Sequence, residues 1–284
     1  MTTPTLEQLT SAMPSSLGTY APVLREIENA LQSPEHSLAT VGTTIEKDLD
    51  LTARLLRLGN SPFYGFSRRL ATVTEVISLI GIQQVQDLIV ASSIIKEFAG
   101  LGDEFVSMES FWRHNLACGI AARALALERR LAKPEQLFVA GLLHDMGRLA
   151  LFAHAPDAAR QVFGLYGRER MLLVEAESRV LGYDHARIAR VLLQQWRFPV
   201  TLAEAVAYHH QPAGSQIAGD EAAVVHLADH LVNAMQVGHS GERFVPPLDV
   251  RAWERLQLPR ESLARVVDTV DEQLEALRDS FLTH

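Results

Sequence analysis

Apolar residues recur along most of the chain at steps of three and four, and strand-like alternation between turn residues is scarce. That period places one face of successive helices in a core, so the sequence predicts an all-α, multi-helix protein. Leu38, Val41 and Ile45 form one stripe, and Leu51, Leu55 and Leu58 the next, until Gly59-Asn60-Ser61-Pro62 breaks the pattern. Thr72-Val73-Thr74-Glu75 has the form of a capping box, in which each end residue satisfies the other's orphan amide, and Val76, Ile77 and Ile80 follow it. Gly81 interrupts, Ile82, Val85, Leu88 and Ile89 resume, and Ala99-Gly100-Leu101-Gly102 reads as a joint.

Beyond the joint the helices carry histidines. One helix opens at Phe111-Trp112-Arg113-His114 and runs toward Leu127, Pro134 starts another, and Val174 to Leu181 is ended by Gly182. The next begins near Asp184-His185; Thr201-Leu202-Ala203-Glu204 reads as a second capping box, leading to Tyr208-His209-His210 before Pro212. Ala222 to Val232 carries Asp229. After Pro259, Leu263, Val267, Val270, Leu274, Leu277 and Phe281 alternate in steps of four and three, a heptad-like seam that suits either a last amphipathic helix packed on the body or a dimer-forming coil. Three parts are expected: 1–102, an N-terminal helical subdomain packed on a second helical part at 103–240 that carries the histidines, and a helical tail at 241–284.

The segment GLLHDMGRLALF, residues 141 to 152, reads as one buried helix with a His-Asp pair inside it. A buried imidazole or carboxylate without a partner costs several kcal/mol, so other residues must meet the pair. The candidates are His114, His144, Asp145, His185, His209, His210 and Asp229. Neighbouring helical residues point about 100° apart, so His144 and Asp145 flank an internal site instead of serving one outward face. Imidazole with carboxylate suits Fe, Mn or Zn, one ion or two, and Asp145, with lone pairs to spare, is the natural bridge. The chemistry such a centre serves is hydrolysis of phosphate esters. His36, His154, His226, His230, His239 and His284 need no such role.

Composition narrows the setting. Across 284 residues the net charge is −8 with no lysine-rich run, which argues against a nucleic-acid-binding face. A single cysteine, Cys118, excludes an internal disulfide and fits a reducing compartment. The N-terminus lacks a basic start followed by an apolar core, and no apolar run of about 20 residues is uninterrupted, so a cytoplasmic protein without a membrane span is expected. Asn60 to Gly65 reads as a plug between helical layers in preference to a ligand loop, and Arg68-Arg69 as a solvated pair.

The ordered set of a His, His-Asp in an apolar helix, a His, His-His and an Asp resembles the HD superfamily of metal-dependent phosphohydrolases. Within it the chain is most similar to the HDOD (HD-related output domain) family of bacterial signalling proteins. LLRLGNSPFYGFSRRLATVTEVISLIGIQQVQDL at 55–88 resembles that family's N-terminal signature. FWRHNLACGIAARALA, GLLHDMGRLALF, LGYDHARIARVLLQQWRFP and AVAYHHQP resemble its later motifs in order, together covering about residues 15 to 230. The resemblance implies one metal on His114, His144, Asp145 and Asp229, and a second set in His185, His209 and His210. Relatives that hydrolyse cyclic di-GMP continue His-His into Glu and a Gly-Tyr-Pro loop, whereas His209-His210-Gln211-Pro212-Ala213-Gly214 stands here, with Arg148 where Lys is favoured. The resemblance therefore implies first a regulatory module acting on another signalling protein. Its second implication is a phosphohydrolase of a nucleotide or cyclic dinucleotide, with Asp145 catalytic and Arg148 pairing with a phosphate oxygen. A purely structural polar network is the third reading.

Overall fold

The structure, a computed structural model, describes residues 3–13, 21–32 and 37–281. Among the described residues it is helical without a strand. In chain order the helices are α1 (Leu6–Ser11), α2 (Ala21–Gln32), α3 (Leu38–Glu46), α4 (Leu49–Gly59), α5 (Val73–Ile80) and α6 (Ile82–Glu97). Next come α7 (Met108–Arg129), α8 (Pro134–Leu143), α9 (Met146–His154), α10 (Pro156–Arg168), α11 (Leu173–Leu181) and α12 (His185–Gln195). The last are α13 (Val200–Ala207), a 3-10 turn at Pro212–Gly214, α14 (Gly219–Met235), α15 (Val250–Leu256) and α16 (Glu261–Phe281).

Two compact units result. One comprises Met1–Ser15 with Gly100–Val270, the other Ser16–Ala99 with Asp271–His284, so the chain passes between them inside the Ala-Gly-Leu-Gly stretch and again within α16. In the second unit, Ile27, Val41, Ile45, Leu51, Leu55, Val76, Ile77, Val85 and Ile89 close one core. The Thr72 capping box forms as its residues dictate, with Thr72 Oγ1 accepting from Glu75 N–H and the Glu75 carboxylate from Thr72 N–H. Asn60 bridges both ways to Leu70, donating from Nδ2 to its carbonyl at 3.0 Å and accepting its N–H at 2.7 Å. Phe63 is buried, and Arg68 pairs with Glu75. The Asn60–Gly65 loop is thus a packing device.

The first unit holds the histidines. Helices α7 and α8 pack most intimately, α14 lies on α7, α9 on α12, and α1 on α9 and α12, where Tyr183 Oη donates to Pro4 O at 2.8 Å. Along α16, Val270, Leu274, Leu277 and Phe281 are buried within the chain itself. His36 and His284 lie outside the described residues. No single helix among the described residues is long and apolar enough to cross a membrane.

Candidate metal centre

Close backbone approach brings the histidines together. A Cβ on Gly141 would stand 2.5 Å from Cys118 O and 2.9 Å from Gly119 Cα, so α8 meets α7 at backbone distance. A Cβ on Gly147 would stand 2.0 Å from His185 O, so α9 meets the start of α12 in the same way. Any side chain at either position would hold these helices apart. The 141–152 segment is not one helix. It divides at the His-Asp pair, with His144 capping α8 and Asp145, at φ −96° and ψ 1°, preceding α9. That break lets both side chains turn inward, where Asp145 Oδ2 comes within 3.2 Å of His144 Nε2.

All seven predicted side chains converge. His114 comes from α7, His144 and Asp145 from the α8–α9 junction, His185 from the first position of α12, His209 and His210 from the turn after α13, and Asp229 from α14. Asp145 is divided between two groups: its Oδ2 is 3.2 Å from His144 Nε2 and 3.8 Å from His114 Nε2, while its Oδ1 is 2.9 Å from His185 Nε2. Asp229 Oδ1 lies 3.2 Å from His114 Nε2 and 3.5 Å from His144 Nε2. His210 Nε2 faces His185 Nε2 at 3.1 Å. All but His210, which lines the floor of an open cleft, are buried.

The second ring nitrogens decide what the first can do. His144 Nδ1–H donates to Gly141 O at 2.8 Å and His209 Nδ1–H to Val206 O at 2.7 Å, which turns each Nε2 inward, the atom that receives a cation once it carries no proton. Both Nε2 atoms are buried without a hydrogen-bond partner. His185 Nδ1–H donates to Glu177, which also accepts the His185 backbone N–H at 2.9 Å. Asn233 Nδ2 donates to Asp229 Oδ1 at 2.7 Å. For His144, His185 and His209, an outward nitrogen held by carbonyl or carboxylate is the second layer that orients metal-binding histidines.

Charge agrees with that geometry. Asp145, Asp229 and Glu177 are buried carboxylates; burial opposes their ionisation, yet the cationic groups beside them hold all three below the usual range, Glu177 at about 2. Arg148 returns one positive charge. Two more are needed, and without a metal they fall on His144 and His185: burial opposes protonation, but Asp145 and Asp229 carry His144 up to about 10, and Glu177 and Asp145 carry His185 up to about 9 against the pull of Arg148. His209 and His210 are pushed down, by burial first and then by neighbouring imidazoles, His209 to about 3. One divalent cation would supply the same two charges as the two protons.

Four residues escaped the sequence reading or change role. Glu177, not among the candidates from the sequence, is buried beneath His185 and Arg148. Arg148 was expected to meet a phosphate. It is instead buried and committed, with Nε on Glu177 at 2.9 Å and one terminal nitrogen on Ser240 Oγ at 2.6 Å and Asp145 Oδ1 at 3.1 Å, so it positions Asp145. Cys118 lies one turn from His114 with its Sγ 3.5 Å from His114 Nε2; burial, then Asp229 and Asp145, push its thiol up. His226 holds His209, donating from Nδ1 to His209 O at 2.8 Å and accepting Asp249 N–H at 2.9 Å. The helix after Pro199 starts at Val200 without a side-chain cap, since Glu204 is drawn to Arg190.

The donors present suit a divalent cation. A small cavity of about 10 Å³ touches Asp145, Asp229 and His210, and a cleft of about 750 Å³ opens beyond His210, edged by Arg179, Arg187, Arg190, Tyr208 and Pro246.

A family model for the HDOD domain matches residues 17–212. A solved HDOD domain protein of unknown function from Geobacter sulfurreducens superposes with a TM-score of 0.76 at 22% identity, covering 98% of this chain and 97% of that one. A candidate phosphohydrolase from Shewanella amazonensis SB2B gives 0.75 at 21% identity, covering 98% of each chain. At such identities the likeness is one of fold. Among curated proteins, an uncharacterized protein of Treponema pallidum (strain Nichols) is 23% identical over 188 residues, 66% of this chain and 36% of that protein, so the match spans about a third of that relative's length.

Proposed function

This chain belongs to the HDOD family, and from that premise we propose that it is a regulatory output module of bacterial signal transduction, built around a divalent-metal centre and acting by binding a partner protein or small ligand. One observation carries the reading: inward lone pairs and two carboxylates meet at a point where His144 Nε2 and His209 Nε2 have no hydrogen-bond partner. A self-sufficient polar network would pair those atoms. His114, His144, Asp145 and Asp229 hold the first ion, of Fe, Mn or Zn; His185, His209 and His210 offer a second set, with Asp145 between them. The bound ion supplies positive charge and Lewis acidity. Glu177 and Arg148 keep His185 and Asp145 aimed, and Asn233 keeps Asp229 aimed.

A second reading, a metal-dependent phosphohydrolase of a nucleotide or cyclic dinucleotide, draws on the cleft of about 750 Å³ that reaches the centre at His210 and carries Arg187 and Arg190 on its wall. In this reading Arg148, which lines the small cavity beside Asp145 and His210 while bonded to Glu177 and Ser240, serves foremost to position Asp145.

Elemental analysis of protein purified without added metal tests both readings. About one or two equivalents of Fe, Mn or Zn are expected, and less than about a tenth would refute both. A panel of phosphomonoesters, nucleotides and cyclic dinucleotides offered to the loaded protein separates them. Turnover lost in Asp145→Ala selects the enzyme, and no turnover selects the module.

A further inference from the structure

Cys118 follows His114 by one helical turn, which places both side chains on the same face of α7. Its sulfur is fully buried, and Sγ, one ring nitrogen each of His114 and His144 and an Asp229 carboxylate oxygen all lie within 4.8 Å of one another. A small buried cysteine is ordinarily an apolar plug. Here it stands beside a buried imidazole nitrogen with no partner, that of His144.

Distances between donors distinguish packing from ligation. With Zn–S of about 2.3 Å and Zn–N or Zn–O of about 2.0–2.1 Å, tetrahedral angles give S···N edges of roughly 3.5 Å and N···O edges of roughly 3.3–3.4 Å. Octahedral angles with the same bonds give about 3.0 Å. The structure has 3.5 Å for Cys118 Sγ to His114 Nε2, and 3.2 and 3.5 Å for the two imidazole nitrogens to Asp229 Oδ1. These three edges fall nearer tetrahedral than octahedral lengths. Asp145 is less well placed in this set: its Oδ1 is engaged by His185 and Arg148, and its Oδ2, 3.2 Å from His144 Nε2, stands 3.8 Å from His114 Nε2, a longer edge than those three.

We infer that Cys118 is a metal ligand which, with His114, His144 and Asp229, closes a four-coordinate site of Zn type. The inference rests on the metal-centre reading above and refines it, with Cys118 taking the place given there to Asp145 in the first set. On coordination the thiol gives up its proton to solvent and the sulfur binds as thiolate, with no redox change. A thiolate shifts preference from Mn or Mg toward Zn and other softer ions. Four protein ligands leave no open position, which is the arrangement of structural sites and not of catalytic ones. The histidine set around His185 then stands apart, with Asp145 joining the two.

Cobalt substitution reads this directly, because the chain has one cysteine and any thiolate band belongs to it. Tag-free, metal-free full-length protein is loaded with one equivalent of Co²⁺. The expected result is an intense sulfur-to-cobalt charge-transfer band in the near ultraviolet, with visible bands of tetrahedral intensity. Cys118→Ser, its fold checked by circular dichroism, keeps cobalt but loses the band, and its Zn²⁺ affinity falls about tenfold or more, as for loss of a centre's supporting groups. Cobalt bound by the wild type without the band overturns the ligand assignment and leaves the metal centre standing. No cobalt bound at all overturns the centre and Cys118 with it. The wild-type spectrum decides even if the variant fails to fold.

Discussion

Replacing Gly147 by alanine sets two effects of opposite sign against each other. Gly147 lies in α9, where alanine is intrinsically the better helix former by about 1 kcal/mol. The new methyl, however, would stand 2.0 Å from His185 O, 2.8 Å from His185 C and 3.0 Å from Ala189 N. These are backbone atoms of α12, so no rotamer change relieves them. A carbon–oxygen contact needs about 3.2 Å or more, so α9 must withdraw from α12 by roughly 1 Å, against an overpacking cost of about 1–3 kcal/mol or more. At a backbone clash the upper end applies, and the net loss is about 2 kcal/mol. The melting temperature should fall by about 4–8 °C for a unit of this size. The same withdrawal carries Asp145 from His185, whose Nε2···Oδ1 distance is now 2.9 Å. Metal affinity should therefore fall about tenfold or more. Gly164→Ala is the control: its methyl would meet only the Arg168 guanidinium, at 3.9 Å, and propensity alone should raise stability slightly. Thermal melts followed by circular dichroism and metal titration of both variants supply the readings. A Gly147→Ala protein as stable as the wild type, with metal binding intact, would refute the claim that backbone contact between α9 and α12 builds the centre.

Further outcomes follow from the same geometry. His144→Ala should abolish tight metal uptake, seen as lost occupancy by elemental analysis; unchanged content would place the ion elsewhere. Glu177→Gln should weaken metal affinity by about 10–100-fold, because Glu177 orients His185 and balances Arg148. Glu177 is also lowered from 4.5 to about 2, so its stabilising contribution is complete above pH 4.5 and lost as the pH falls toward 2. The variant's acid unfolding curve should lack that component. Binding of one divalent ion near pH 7.5 should release about two protons, read by calorimetry in buffers of different ionisation enthalpy, since His144 and His185 are otherwise held protonated, and about three where Cys118 also ligates as thiolate. Release of less than about half a proton contradicts the charge balance.

Helices were legible wherever the deciding signal was local. The stripe of Val41 and Ile45, the Thr72 box and the glycine stop at Gly182 each depend on residues within one turn, and each formed. The seven His and Asp positions were legible because polar side chains in apolar helices demand partners. The division at His144-Asp145 was hidden because apolar residues flank it on both sides, and its cause lies in contacts to α12. Glu177 was hidden because LVEAESRVL carries four charged or hydroxyl residues that look alike; only Arg148, 29 positions away, singles it out. Cys118 had a visible signal, a thiol one turn from His114, that the question of disulfides obscured.

A scaffold held by its own polar network and a module built around an ion diverge most sharply in alkali. With the site metal-free, charge balance depends on protons held by His144 and His185, whose pKa values are raised from 6.5 to about 10 and about 9. A raised pKa contributes stability that is complete below pH 6.5 and lost as the pH climbs through those values. Three buried carboxylates then face a single Arg148, and like charges in a dry interior repel strongly. An ion in the same place does not leave as a proton does, so loaded protein should keep its melting temperature between pH 7 and 9.5 while chelated protein loses several degrees. A scaffold would show the alkaline loss with or without Zn²⁺ or Mn²⁺, because added metal would find no lone pairs free to receive it.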